Sequence, residues 1–439
     1  LMRDYEELLT KVLRIVGEER RSEIEEEVER RISEDPRLTR LGALYMVAGE
    51  LGLFGESSRG PPLVPLGKLV GGLGSVNIEA RVMGLSVLSG RQATSLRLGD
   101  SSGKVFATAW GRASEMLTKL RVRVGSTLQV MNAYTREKPD GSVELHMGEH
   151  AEIGEGGQGL PPLESLFSDM DAVIGAGGPL DFRAYLLGYT DKRLARVGGE
   201  ESIVREILLG WDGVMVEMDL WREQAESINA LTIGAELLVA GARWSRDKFT
   251  SSSRTSLNFR EGAGRIVFPP ISISRQLSSE EALGLCGGWV VRVASKGLRP
   301  GGTYHVDAFH FEKRGRAWVM VPDEYREAED VVERPRLRRI GWLAAGMLEV
   351  SVEGELASKS PITRIATRRG EAELLSFWLK DETGAIFCKA WGRAAAELDR
   401  HAEGERIAIL FAQVSRNPWG EKELSVSESS YILPPVEIP

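Results

Sequence analysis

The motif Trp-Gly-Arg-Ala occurs twice, at Trp110 and at Trp391, with cations beside the ring each time: Lys104 and Arg112 in the first copy, Lys389 and Arg393 in the second. A flat indole among guanidinium and ammonium groups is what single-stranded nucleic acid needs. A base stacked on a ring is worth ~1–3 kcal/mol whatever its identity, while the cations track the phosphates. Trp419 adds a third ring, in the loop NPWGEK, where a turn does not require a large aromatic and exposing one has a cost. Arg97 and Arg416 complete the candidate phosphate contacts.

Each of these residues also has a bland reading. Trp110 and Trp391 fit a core position that plugs one end of a barrel. Strand alternation favours the ligand role, because it puts Val105, Ala107 and Ala109 on one face and Phe106, Thr108 and Trp110 on the other; the small set suits a tight interior. Phe106 and Phe387 fit either role, and Phe387 is placed with the stacking set. Arg112 and Arg393 fit ion pairs with Glu115 and Glu397 on a helix surface equally well.

Catalytic constellations are thin. The sequence holds no Gly-x-x-x-x-Gly-Lys-Ser/Thr loop, no His-Glu-x-x-His and no Gly-x-Ser-x-Gly. Its glycine clusters at 71–74 and 175–178 lack the strand-to-helix setting of a phosphate cradle. Cys286 and Cys388, the two cysteines, cannot supply a disulfide framework or a four-thiolate zinc site, and the five histidines have no cysteine nearby. Cys388 reads as a small core residue, and His146 has no partner that would make it a base or a ligand. The expectation is a protein that is not an enzyme, with no cofactor and no metal.

The elements that must position the rings emerge from an internal repeat. Leu96 to Leu117 aligns without a gap with Phe377 to Leu398, sharing an Asp-x-x-Gly turn, a phenylalanine and Ala-Trp-Gly-Arg-Ala. The similarity continues from Val124 to Leu145 and from Glu403 to Leu424. Each copy reads as three strands, a short helix and two strands, which is the order of an OB barrel. A weaker copy lies between, with Ile203 to Ile228 as strand, turn, strand and helix and SLNF (256–259) as its last strand.

The fold class expected is mainly β: tandem OB-fold barrels, three in number, behind a small N-terminal helical bundle. The expected organisation is a helical module over 1–54, a Gly/Ser/Pro linker over 55–67, and barrels over 68–155, 179–270 and 336–435. Residues 156–178 form a second linker, and 271–335 is a β-rich segment with no assigned fold.

The chain has 439 residues and a formal charge of −8, which at first argues against nucleic acid. By segment, however, residues 1–60 carry −4 and 161–270 carry −4, whereas 61–160 carry +2 and 336–439 carry −1. Exposed charges beyond a Debye length of ~8 Å are screened from one another, so the total says little about one groove. No apolar run approaches the roughly 20 residues of a membrane span, and the acidic start does not suit a targeting peptide. A cytoplasmic, reducing location and no membrane partner are expected.

These residues together resemble a known family. GSVNIEARVMGLS, LRLGDSSGKVFATAWGRA and NAYTREKPDGSVELHMGEHAEI are similar, in order and spacing, to the first DNA-binding OB fold of archaeal replication protein A, and LKDETGAIFCKAWGRAAAEL with VSRNPWGEKELSVSES to another. The resemblance covers 36–153 and 347–432, is partial over 180–268, and is absent over 271–335. It implies single-stranded DNA binding and protection in DNA replication, repair and recombination, at the nucleoid and without catalysis. Trp110, Trp391 and Trp419 match the family's stacking positions. In the first copy the last loop, REKPDGS, has no aromatic, and Tyr134 on the preceding strand is the substitute. Implied partners are replication and repair proteins, met through the helical module, and smaller subunits. A C-terminal zinc finger found in many relatives is not expected within these residues, which hold two cysteines. The alternative function is an OB-fold interaction scaffold of a replication or telomere-like complex that holds DNA weakly.

Overall fold

The computed structural model describes residues 2–34, 38–51, 53, 62–88, 92–229, 232–260, 266, 268–295, 297–329, 335–367 and 370–434. Two compact units are present, residues 1–167 with 253–256, and residues 168–252 with 257–439. Residues 55–61 of the expected first linker lie outside the described residues.

In the first unit, helices span Met2–Val16, Arg21–Glu34 and Arg40–Glu50. Leu9, Val12, Leu13, Val28 and Leu44, at the helical spacing visible in the sequence, share one core. Thr39 caps the third helix by accepting a bond from the Gly42 amide (3.0 Å).

The first barrel follows, with strands Val76–Val87, Ala93–Gly99, Lys104–Trp110, Thr127–Glu137 and Val143–Met147. The helix Arg112–Lys119 sits between the third and fourth strands. Strands pair in the order 1-2-3-5-4 and close through 1–4, with the 3–5 pair parallel. Asp100 makes the tight turn: its carboxylate accepts from the Ser102 and Gly103 amides, and its other oxygen takes the Leu66 amide.

The second unit repeats this topology three times. Its first closed barrel uses Leu180–Tyr189, Glu200–Trp211, Val214–Trp221, Glu236–Ser245 and Lys248–Thr250, with the helix Glu223–Glu226 after the third strand. The fifth strand is therefore Lys248–Thr250, and Ser256–Phe259 is an added edge strand on the fourth. The last barrel uses Val350–Lys359, Gly370–Asp381, Gly384–Trp391, Arg406–Arg416 and Lys422–Val426, with the helix Arg393–Leu398.

Between them the segment for which the sequence assigns no fold is itself a barrel. Its strands Ile271–Gln276, Glu281–Cys286, Trp289–Ala294, Thr303–Arg314 and Ala317–Ala328 pair in the same order, with a parallel 3–5 contact and a closing 1–4 contact. Among the described residues no helix follows its third strand, and a turn around Arg299–Gly302 lies before the fourth. The described residues thus form four OB barrels. Among the described residues, no helix is long and apolar enough to cross a membrane.

Candidate nucleic-acid interface

Strand alternation decides which side chains a barrel presents. In the first barrel Val105, Ala107 and Ala109 are buried in the core, and Phe106 and Trp110 lie half-buried on the outer face. The register puts Arg97 across from Phe106 on the second strand, and Glu144 and His146 beside Phe106 and Thr108 on the fifth.

Three rings form a ladder on this face. His146 is parallel to Trp110 (centroids 6.4 Å, 8°) and to Tyr134 (5.2 Å, 15°). Trp110 Nε1 donates to His146 Nδ1 at 3.2 Å. Burial pushes the imidazole pKa down, which favours the neutral ring whose Nδ1 accepts this bond. Sequence reasoning passed over His146, although period two along VELHM puts it on the same face as Glu144.

Beyond the ladder, Phe106 is surrounded by charge. The Arg97 guanidinium lies 4.8 Å from its centroid, Arg254 5.5 Å and Lys138 Nζ 6.0 Å. Arg254 belongs to the short segment that is part of this unit. Buried Glu144 accepts from Arg254 Nη2 (2.5 Å), Lys138 Nζ (2.8 Å) and Thr108 Oγ1 (2.8 Å). Burial alone would raise the Glu144 pKa; the bonds from Arg254, Lys138 and Thr108 outweigh it and hold the group at about 2.

The last barrel presents equivalent positions. Phe387 and Trp391 lie on its outer face, Ile386, Cys388 and Ala390 inside. Trp378 stands across from Phe387 in the register, where Arg97 stands across from Phe106. Its ring meets Phe387 edge-on (5.6 Å, 62°) and is 45% exposed. Trp378 is the second residue that sequence reasoning missed; the gapless repeat already aligns it with Arg97. Trp419 is 81% exposed, on a turn built by Asn417, whose Oδ1 accepts from the amides of Trp419 and Glu421.

The candidate cations have varied settings. Lys104 is exposed at the start of its strand, and Lys389 pairs with Glu423 (2.8 Å) beside Phe387. Arg112 and Arg393 pair with neither Glu115 nor Glu397. They donate instead to carbonyls after the fifth strand: Glu149 for Arg112 (3.5 Å), Glu428 for Arg393 (3.1 Å). Arg97 is buried against Phe106, and Arg416 reaches the Gly420 carbonyl (3.0 Å).

No family model and no curated protein matches the chain. Among solved structures it is similar to a replication protein A heterotrimer bound to single-stranded DNA, at 13% identity over 84% of this chain and 96% of that one, TM-score 0.35. It is also similar to the second OB-fold domain of replication protein A from Methanococcus maripaludis, at 24% identity over 22% and 95%, TM-score 0.20. A third is the Ifi202 HINa domain in complex with double-stranded DNA, at 11% identity over 42% and 94%, TM-score 0.28. At these TM-scores none of the likenesses carries an argument about function, and the fold assignment rests on the strand pairing.

Proposed function

We propose that the chain binds single-stranded DNA through the first and last barrels, and so protects it in replication, repair and recombination. The observation that carries this reading is the recurrence of aromatic side chains at equivalent outer positions of two barrels, with an arginine in one standing where a third ring stands in the other. These are Arg97, Phe106 and Trp110 in one and Trp378, Phe387 and Trp391 in the other. A row of ring faces takes successive bases without reading them, and cations at its margins meet the phosphates. Two linked sites raise the effective concentration of each other, so modest barrels combine into a tighter binder.

The test is a fluorescence anisotropy titration of the full chain with oligothymidine and with a duplex of equal length. Single strands are expected to bind more tightly, with a salt slope near −0.7 per phosphate contacted. The Trp391→Ala, Trp419→Ala double variant is expected to lose ~1–3 kcal/mol per stack. A correctly folded double variant with wild-type affinity, or the absence of any strand preference, overturns the proposal.

A further inference from the structure

On the second barrel, the positions that carry rings and cations elsewhere are Leu208 and Glu217, with Glu206 and Asp219 next along the register. Only Trp221 is kept, at the place of Trp110 and Trp391. Glu206, Glu217 and Asp219 engage the cations of this face, Arg193 (3.3 Å from Glu206), Lys248 (2.8 Å from Asp219) and Lys313, so these cations are committed to carboxylates rather than to phosphates.

That face is also occupied. The hairpin between the fourth and fifth strands of the intervening barrel lies on it, and Lys313 Nζ bridges Glu206 (2.8 Å) and Glu217 (2.5 Å). Trp318, across from Lys313 in the hairpin, donates its Nε1 to Glu217 (2.9 Å). Leu187 and Leu208 are buried in one cluster with Phe311, Trp318 and Met320. Gly188 pairs directly with Phe311, so closely that a β-carbon would overlap the Phe311 carbonyl.

The intervening barrel repeats the arrangement toward the last one. The outward residues of its second and third strands, Leu283, Leu285 and Val290, share a buried cluster with Leu410, Phe411 and Leu433 of the last barrel. Arg292, on the same face, has a side chain 1% exposed; it pairs with Glu281 (2.9 Å) and Glu349 (3.3 Å) and donates to the Ser429 carbonyl (2.7 Å). Its guanidinium lies 4.4 Å from the Phe411 centroid.

We infer that the ligand faces of the two middle barrels serve as fixed joints, each holding the next barrel, and that single-stranded DNA bound by this chain bypasses both. This rests on the function proposed above. The four-barrel chain then has two binding barrels, and the second unit offers its ligand only the face with Trp378, Phe387 and Trp391. Such a joint is costly to open, because opening returns the buried Leu208, Leu283 and Leu285 to water and breaks the ion pairs of Lys313 and Arg292 at the same time.

The experiment has two arms on the full chain. In the first, oligothymidine containing 4-thiothymidine is photo-crosslinked and the adducts mapped by peptide mass spectrometry. Adducts are expected in 93–147 and 370–424; adducts in 204–221 or 281–294 overturn the inference. In the second, hydroxyl-radical footprinting without DNA reads the side chains of Leu208, Leu285, Phe311 and Met320. Each is expected to oxidise at least tenfold more slowly than the same residue in the urea-unfolded chain, and rates comparable to the unfolded chain at Leu208 or Leu285 overturn the joints. If no complex forms at all, the proposed function fails, and the footprint still decides whether the faces are closed.

Discussion

Replacing Lys313 with Met removes the one cation that bridges Glu206 and Glu217 while keeping most of the apolar stem. Burial acts to raise the Glu206 pKa, but Lys313, with Lys248 and Arg193, holds it at about 2. Relative to an ordinary carboxyl near 4.5, this is worth about 3 kcal/mol at neutral pH. Lys248 and Arg193 share in that figure and the pair is only partly buried, so about 3 kcal/mol is the upper limit for removing Lys313. A carboxylate depressed in the folded state stabilises above its unfolded pKa, and that contribution is lost as the pH falls through 4.5 toward 2. In the variant, burial is opposed only by Lys248 and Arg193, so Glu206 takes up a proton at higher pH and the penalty shrinks on acidification. Its cost should therefore be at most about 3 kcal/mol at pH 7 and smaller at pH 4. One global unfolding free energy does not describe a chain of several barrels, so the assay is urea unfolding read peptide by peptide with pulsed hydrogen exchange. The signal should concentrate in 200–221 and 303–328. An equal cost at both pH values, or loosening no greater there than in the first barrel, refutes the electrostatic account of the joint.

Three further outcomes are expected. Trp378→Ala should weaken oligothymidine binding by ~1–3 kcal/mol, about 5- to 150-fold; because the ring is half exposed, the melting temperature should move little, and an unchanged Kd contradicts its role. Glu144→Gln should destabilise the first barrel at pH 7 by about 3 kcal/mol, a cost that fades as the pH falls from 4.5 toward 2, where the wild-type carboxylate also protonates; hydrogen exchange over 93–147 at several pH values reads it. Arg222 has φ +54° at the position where the first and last barrels place Gly111 and Gly392. Arg222→Gly should therefore stabilise the second barrel by about 1 kcal/mol, checked by the same exchange assay.

The sequence alone determined the repeated unit and the strand order of the first and last barrels, and alternation favoured an outward Trp110 and Trp391, since period two and a gapless repeat are local properties. In the middle copy it took Ser256–Phe259 for the fifth strand, which is Lys248–Thr250. It reached Trp110, Trp391 and Trp419 by type, and it contained the signal for Trp378 in the alignment with Arg97. His146 needed tertiary structure, because the parallel pairing of the third and fifth strands is what brings it to Trp110, 36 residues away in the chain. The intervening barrel stayed unread for a related reason: it lacks both the helix and the tryptophan motif, and closure by pairing is not written in any single segment. Which ligand faces are free was decided by the fold alone. Leu208 and Leu285 alternate as any sheet residues do, and only the placement of the next barrel over each distinguishes a joint from an open face.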